Sequence, residues 1–150
     1  MEPITGTPTQ TIRTEMDAVL NEGVRVAADY LARFDTFIPF AIRYRDGQLE
    51  QLEVSTTDAS AEVRSQDAYD ALVAGLADQD DDVHALAIVT DVLVSKGDEA
   101  QGDAIRIELE HRDSAAWVVE AFAAYERDES GRPTLADELV TSDGTRRIWV

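Results

Sequence analysis

Two segments of the chain are apolar on both faces of the strands that they would form, and this feature constrains the fold most. They are "DVHALAIVTDVLV", residues 82–94, and "AAWVVEAFAAYE", residues 115–126. Such a strand is typical of the centre of a sheet or of an interface, because both of its faces must be kept from water. The sequence therefore predicts a sheet whose apolar surface needs a cover on each side.

The surrounding elements predict an α+β domain. Apolar residues recur at three- and four-residue steps from Thr11 to near Asp35, which predicts a long amphipathic helix, and residues 66–79 predict a second helix. Gly23 lies inside the first helix, where we expect a close crossing of the sheet or a bend. We expect the order α-β-β-α-β-β-β, a two-layer domain with about five antiparallel strands and both helices on one face.

The two ends of the chain are expected to differ in order. Residues 1–10 contain two prolines and a glycine and predict a flexible arm, whereas residues 11–150 predict a single domain. Residues 127–147 predict a loop with one helical turn at 135–139, and the final "RRIWV" predicts an edge strand.

The sheet face away from the helices has an apolar surplus. That face should carry charged residues, yet the flanking strands also offer it apolar ones, including Trp117 and Val119. Either the C-terminal segment, with Ile148 and Trp149, or another subunit must cover them. We therefore expect association, most simply as a homodimer.

The stretch "FAIRYRDGQLEQLEV" predicts a β-hairpin that turns at Asp46-Gly47. A two-residue loop would set Ile42 opposite Gln51 and mix polar groups into the apolar face. A three-residue loop, residues 45–47, would pair Ile42 with Glu50 and segregate the faces better, with a left-handed glycine in third place. We expect the three-residue loop.

The charge of the chain is strongly negative, with 31 acidic and 13 basic residues and a formal net charge of −18. This argues against direct binding of DNA or RNA, which needs clustered cations. The acidity indicates either salt adaptation and compositional bias or a basic partner. Arg43 and Arg45, neighbours on the predicted outer face of the hairpin, stand out as candidates for an interaction surface.

Composition excludes several classes of function. The chain has no cysteine, so disulfides, thiolate catalysis and cysteine zinc sites are excluded. We find no apolar run long enough to span a bilayer and no secretory signal at the start, which predicts a cytoplasmic protein. No cofactor motif, phosphate-binding loop or identifiable small-molecule substrate site is present.

Two groups of residues could suggest a metal site, and neither fits. The acidic run "DQDDDVHALAIV" has Val83 and Val89 where a calcium loop needs glycine and glutamate. His84 and His111 are the only histidines, and a register that pairs Val94 with Ala104 would place them on opposite faces of the sheet. We expect no metal.

Asp91 and Glu120 interrupt the two apolar strands. With tight turns, both would flank Ile107 on one face, with their backbones roughly 10 Å apart. Such a pair could form a catalytic dyad or half of a metal site. Alternatively, one carboxylate meets an arginine, such as Arg43 or Arg106, and the other points to solvent. A shift of one residue in register would separate them, so they are weak catalytic candidates.

The order of elements resembles the Roadblock/LC7 and profilin-like architecture. This resemblance implies a sheet with the second and third strands at its two edges, dimerisation through that region, and a scaffolding or regulatory role. The start "FIPFAIRYRDG" and the strand "DAIRIELEHRD" also resemble small bacterial proteins of an uncharacterised family, from which no function follows.

We therefore expect a non-catalytic interaction or regulatory domain, homodimeric through a sheet edge or the surface of Trp117. The expected interaction residues are Arg43, Arg45, Trp117, Val119 and Trp149. One alternative is an acidic immunity-type or nucleic-acid-mimic protein that neutralises a basic partner. The other is a small enzyme that uses Asp91 and Glu120.

Overall fold

The computed structural model describes residues 10–54, 61–77, 81–95, 101–113 and 118–149. The elements in chain order are α1 (Gln10–Arg33), β1 (Phe40–Arg45), β2 (Gln48–Leu52), α2 (Ala61–Leu76), β3 (Val83–Ser95), β4 (Gln101–His111), β5 (Val119–Arg127), β6 (Pro133–Leu135) and β7 (Val140–Asp143). The predicted α+β class and antiparallel sheet are confirmed. Nine residues of the predicted N-terminal arm lie outside the described residues, and Gln10 already belongs to α1.

The strands form one antiparallel sheet in the order β2-β1-β3-β4-β5-β6, with β7 also paired to β5. The prediction of about five strands was too low, and the helical turn at 135–139 was wrong. The tail instead supplies two short strands that share β5: β6 pairs with Tyr125–Arg127, and β7 pairs with Val119–Phe122. β2 is an edge strand, but β3 lies beside β1 in the interior, unlike the order that the Roadblock/LC7 resemblance implies.

The two helices lie on opposite faces of the sheet, so the prediction of both on one face was wrong. On β3, Ala85, Ala87 and Val89 belong to the core that contains the buried residues of α1. Leu86 and Ile88, which alternate with them, pack with Leu72 and Leu76 of α2. Because successive side chains point to opposite faces, a strand that is apolar throughout requires one cover on each side.

The C-terminal segment completes the cover on the α2 face. Ile148 is buried in the same core as Leu72 and Leu86, and Trp149 is half-buried against it. The predicted edge strand does not form, because the buried carboxylate of Glu110 accepts the backbone N–H groups of Arg147, Ile148 and Trp149 at 2.8 to 3.3 Å. The sequence left two alternatives for covering this face, the C-terminal segment and another subunit. The C-terminal segment provides the cover that the structure shows.

The hairpin turns through two residues, so the predicted three-residue loop was wrong. Arg45 pairs directly with Gln48, and Asp46 and Gly47 both have positive φ, 49° and 80°. Two left-handed residues match the twist of the flanking strands, and Asp-Gly is favoured there. The resulting polar position at Gln51 is tolerated because this edge residue donates a hydrogen bond to the Tyr30 hydroxyl at 2.8 Å.

No helix in the described parts of the chain is both long enough and apolar enough to cross a membrane.

Gly23 marks the close crossing of α1 over the sheet, as predicted. A Cβ atom at this position would lie 3.0 Å from Cγ2 of the buried Val89. Contact this close is repulsive, so a side chain at residue 23 would require the buried Val89 side chain or α1 to shift by a few tenths of an ångström.

We expect Gly23→Ala and Gly75→Ala to change the free energy of unfolding in opposite directions. Gly75 lies in α2, and a Cβ atom at this position would have no neighbour within 4 Å, so alanine should stabilise by up to about 1 kcal/mol. Gly23→Ala should destabilise by about 1 kcal/mol, because overpacking outweighs the gain in helix propensity. Urea denaturation measures both, and equal stabilisation would contradict the close crossing.

Candidate functional site

A cavity of about 570 Å³ opens where α1 ends, between the residues that follow it, the end of the hairpin and β3. We call it the aromatic cavity. Its walls combine rings, aliphatic groups and two carboxylates, and include Tyr30, Phe34, Phe37, Ile38, Glu53 and Asp91. This volume lies within the range of pockets that bind small molecules or inserted side chains.

The end of α1 fixes the exposed ring of the cavity. α1 ends at Arg33, and the N–H of Phe34 still bonds to the carbonyl of Tyr30 at 2.7 Å. The Arg127 guanidinium donates to three carbonyls at this helix end, those of Leu31, Phe34 and Asp35, at 2.8 to 3.0 Å. A cation suits these unsatisfied acceptors, and the cap holds the backbone that presents Phe34, which is 59% exposed.

Two rings that line the aromatic cavity, Tyr30 and Phe37, form a cluster with the buried ring of Phe40. The centroid of Tyr30 lies 6.1 Å from that of Phe37 in a stacked arrangement and 5.6 Å from that of Phe40 in an edge-on arrangement. Phe37 and Phe40 are buried, whereas Phe34 and Ile38 are exposed. The wall therefore has a fixed interior and an apolar rim that water reaches.

Two carboxylates of the aromatic cavity are oriented by hydroxyl and amide donors. Asp91 accepts hydrogen bonds from Tyr125 at 2.7 Å and from Thr36 at 2.5 Å. Burial, together with the bond to Asp91, raises the pKa of the Tyr125 hydroxyl well above its ordinary value, so Tyr125 remains a donor. Glu53 accepts from the Tyr30 hydroxyl and from Gln51, the latter at 2.7 Å.

Asp91 and Glu120, the predicted catalytic candidates, lie on opposite faces of the sheet, so the prediction that they share a face was wrong. Asp91 pairs with Ile105 on the α1 face, whereas Glu120 pairs with Glu108 on the α2 face. Glu120 accepts a hydrogen bond from Arg106 at 2.8 Å. Asp91 keeps the face of Ile107 that was expected, whereas the pairing of β4 with β5 sets Ala121 opposite Ile107 and turns Glu120 to the other face.

The residues predicted to form an interaction surface do not lie together. Arg43 and Arg45 both bond to Glu50, at 2.6 and 3.0 Å, and Arg45 also contacts Asp82 at 3.2 Å. Val119 packs against the core on the α1 face, and Trp149 against the core on the α2 face. Trp117 lies outside the described residues.

His84 and His111 meet on one face, contrary to the predicted separation. Glu15 of α1 contacts both: its Oε2 lies 2.7 Å from Nδ1 of His84, and its Oε1 lies 2.9 Å from Nε2 of His111. An irregularity in the pairing of β1 with β3, between Tyr44 and Arg45, interrupts the alternation at His84. A bulge of this kind turns a side chain to the other face.

The Glu15–histidine cluster anchors the first half of α1. The Asp113 N–H donates to Nδ1 of His111 at 3.0 Å, so Nε2 of that ring carries the proton and donates to Glu15. Glu15 was missed by the sequence analysis, although its position between Ile12 and Val19 on the apolar stripe was a usable signal. His84 does not line the aromatic cavity, and no metal-binding group of three or more ligands occurs among the described residues.

We expect the stabilising effect of Glu15 to depend on pH. Burial alone would raise the pKa of this carboxyl, but its bonds to His111 and His84 lower it below the ordinary 4.5. A lowered pKa means that the carboxylate stabilises the fold above about pH 4.5 and loses this effect as the pH falls through its folded pKa. Glu15→Gln should therefore cost about 1–3 kcal/mol at neutral pH.

Urea denaturation measures the free energy of unfolding of Glu15→Gln and of the wild type. The difference between the two values should become smaller as the pH falls below about 4.5. Glu138→Gln is the matched control, because Glu138 is exposed. If the difference in the free energy of unfolding between Glu15→Gln and the wild type does not change with pH, the ionised carboxylate of Glu15 does not stabilise the fold as proposed.

Comparison with known proteins gives no relative: no protein-family model matches the chain, and neither the curated proteins nor the solved structures contain a match. The resemblance to Roadblock/LC7 proteins therefore stays a prediction.

Proposed function

We propose that the chain is a non-catalytic protein-interaction domain of the cytoplasm that binds a basic partner through the aromatic cavity. The observation that supports this most is the exposed ring of Phe34 at the rim of a concave wall that also contains Asp91 and Glu53. An exposed large apolar side chain beside a cavity is typical of a site that a partner covers.

The cover of both sheet faces by the chain itself supports the choice of this site. α1 packs on one face, and α2 with the C-terminal segment packs on the other. Elements of the chain itself therefore cover most of the apolar sheet surface from which association was predicted. Two of the exposed large apolar residues, Phe34 and Ile38, lie together at the cavity.

The net charge of −18 supports a basic rather than a neutral partner. A negative surface accelerates encounter with a cationic protein and repels nucleic acid. The separation of Asp91 and Glu120 removes the residue pair on which the enzyme alternative depended. A binding role of this kind also includes the neutralisation of a basic protein.

We expect Phe34→Ser to reduce partner capture by about tenfold or more, because central aromatic side chains dominate interface energies. The tagged protein is used as bait in an extract of cells of the same organism, and captured proteins are quantified by mass spectrometry at rising salt. Val140→Ser is the matched control, since Val140 is 70% exposed but lies on β7. Loss of capture with Val140→Ser and its retention with Phe34→Ser would contradict the proposal.

A homodimer through β7 is the second candidate. All four residues of this strand are exposed, and an exposed edge strand can pair with another chain. Light scattering at high micromolar concentration decides: twice 16.5 kDa supports the dimer, and 16.5 kDa contradicts it. Salt should favour the dimer by screening self-repulsion, and should weaken capture of a basic partner.

A further inference from the structure

We propose that the aromatic cavity receives an arginine side chain from the partner protein, whose guanidinium lies between the rings and the carboxylates. This inference rests on the proposed function and adds the chemical group that the site recognises. It follows from the ring faces, from the carboxylates and from the charge balance around them.

The rings supply a surface on which a planar cation stacks. Phe34 is exposed and Tyr30 is half-buried, so these two rings can meet a ligand, while the buried Phe37 is stacked on Tyr30 at 6.1 Å and supports it. The face of an aromatic ring attracts a cation, and guanidinium combines this attraction with flat stacking. The aliphatic stem of an arginine would cover Ile38.

The carboxylates supply fixed negative charge that the described part of the chain leaves without a cation. Neither Asp91 nor Glu53 forms a salt bridge with a described arginine or histidine, in contrast to the carboxylates of the pairs Arg43–Glu50, Arg106–Glu120 and Arg147–Glu108. Hydroxyl donors hold both carboxylates in place: Thr36 and Tyr125 bond to Asp91, and Tyr30 bonds to Glu53. Oriented acceptors of this kind form strong charge-assisted hydrogen bonds with guanidinium.

The two features together discriminate between ligands. A neutral apolar side chain would bury the two carboxylates without supplying a positive charge, and a compact ammonium would use the ring faces less well. A guanidinium on an apolar stem can stack on the rings and form hydrogen bonds with the carboxylates at the same time. In a chain of net charge −18, a partner that is basic beyond this one side chain would be attracted to the same region.

The test compares two capped peptides that differ only in the central residue, arginine in one and citrulline in the other. Citrulline has nearly the same shape but no charge. In titrations of the full chain followed by NMR, the arginine peptide should bind at least about tenfold more tightly, and should shift the ring resonances of Tyr30, Phe34 and Phe37. Equal affinity for the two peptides would overturn the proposal.

Glu53→Gln and Asp91→Asn should each lower the affinity for the arginine peptide severalfold and leave the affinity for the citrulline peptide unchanged. Glu138→Gln and Asp137→Asn make the same chemical changes at exposed positions that do not line the cavity. They should not change the affinity for either peptide. Unfolding curves identify any variant that fails to fold; Glu53→Gln keeps an acceptor for Tyr30 and so serves as the second variant. An unchanged arginine affinity in a folded Glu53→Gln and Asp91→Asn would also overturn the proposal.

A third arm uses n-butylguanidinium alone. Affinity equal to that of the arginine peptide would mean that the site takes a free small cation, and would overturn the assignment to a partner protein. The outcome is separable from that of the proposed function. If Phe34→Ser abolishes partner capture while arginine and citrulline bind alike, the interaction site stands and only the arginine assignment fails.

Discussion

The central strands are buried on both faces, and the positions of α1, α2 and the C-terminal segment follow from this requirement. β3 offers apolar residues to either side, so the chain must provide two covers. Buried carboxylates join these covers to the sheet: Glu15 of α1 contacts His84 and His111, and Glu110 of β4 holds the C-terminal backbone. An acidic chain thus uses some of its carboxylates as internal acceptors, which is stable only because each has its donors.

Two of the large apolar side chains that remain exposed lie at the aromatic cavity. Once both faces are covered, the exposed ring of Phe34 and the side chain of Ile38 remain at the end of α1, where the chain turns through Pro39 into β1. The carboxylates at that place, Asp91 and Glu53, are oriented by neutral donors, and among the described side chains no arginine forms a salt bridge with them. The region therefore differs from the Arg106–Glu120 and Arg147–Glu108 pairs on the α2 face, where the charges are balanced within the chain.

Periodicity predicted what depends on one element at a time. The bounds of α1, the close approach at Gly23 and the strand character of residues 83–94 follow from local patterns. The side on which α2 packs, the hairpin register and the meeting of the histidines depend on pairing between elements, where one bulge or a one-residue shift reverses a face. The contact between Phe37 and Tyr30 belongs to the same class, because Phe37 follows the end of α1 and neither a helical nor a strand period predicts which ring it meets.

Hydrogen–deuterium exchange of the full chain, alone and with its captured partner, distinguishes the aromatic cavity from the sheet edges as the contact site. If the aromatic cavity is the contact site, protection should increase at the end of α1, in residues 34–39, and around Glu53 and Asp91. The β7 edge should exchange at the same rate in both states. Protection confined to β7 or to the β2 edge, with no change around the cavity, would contradict the account.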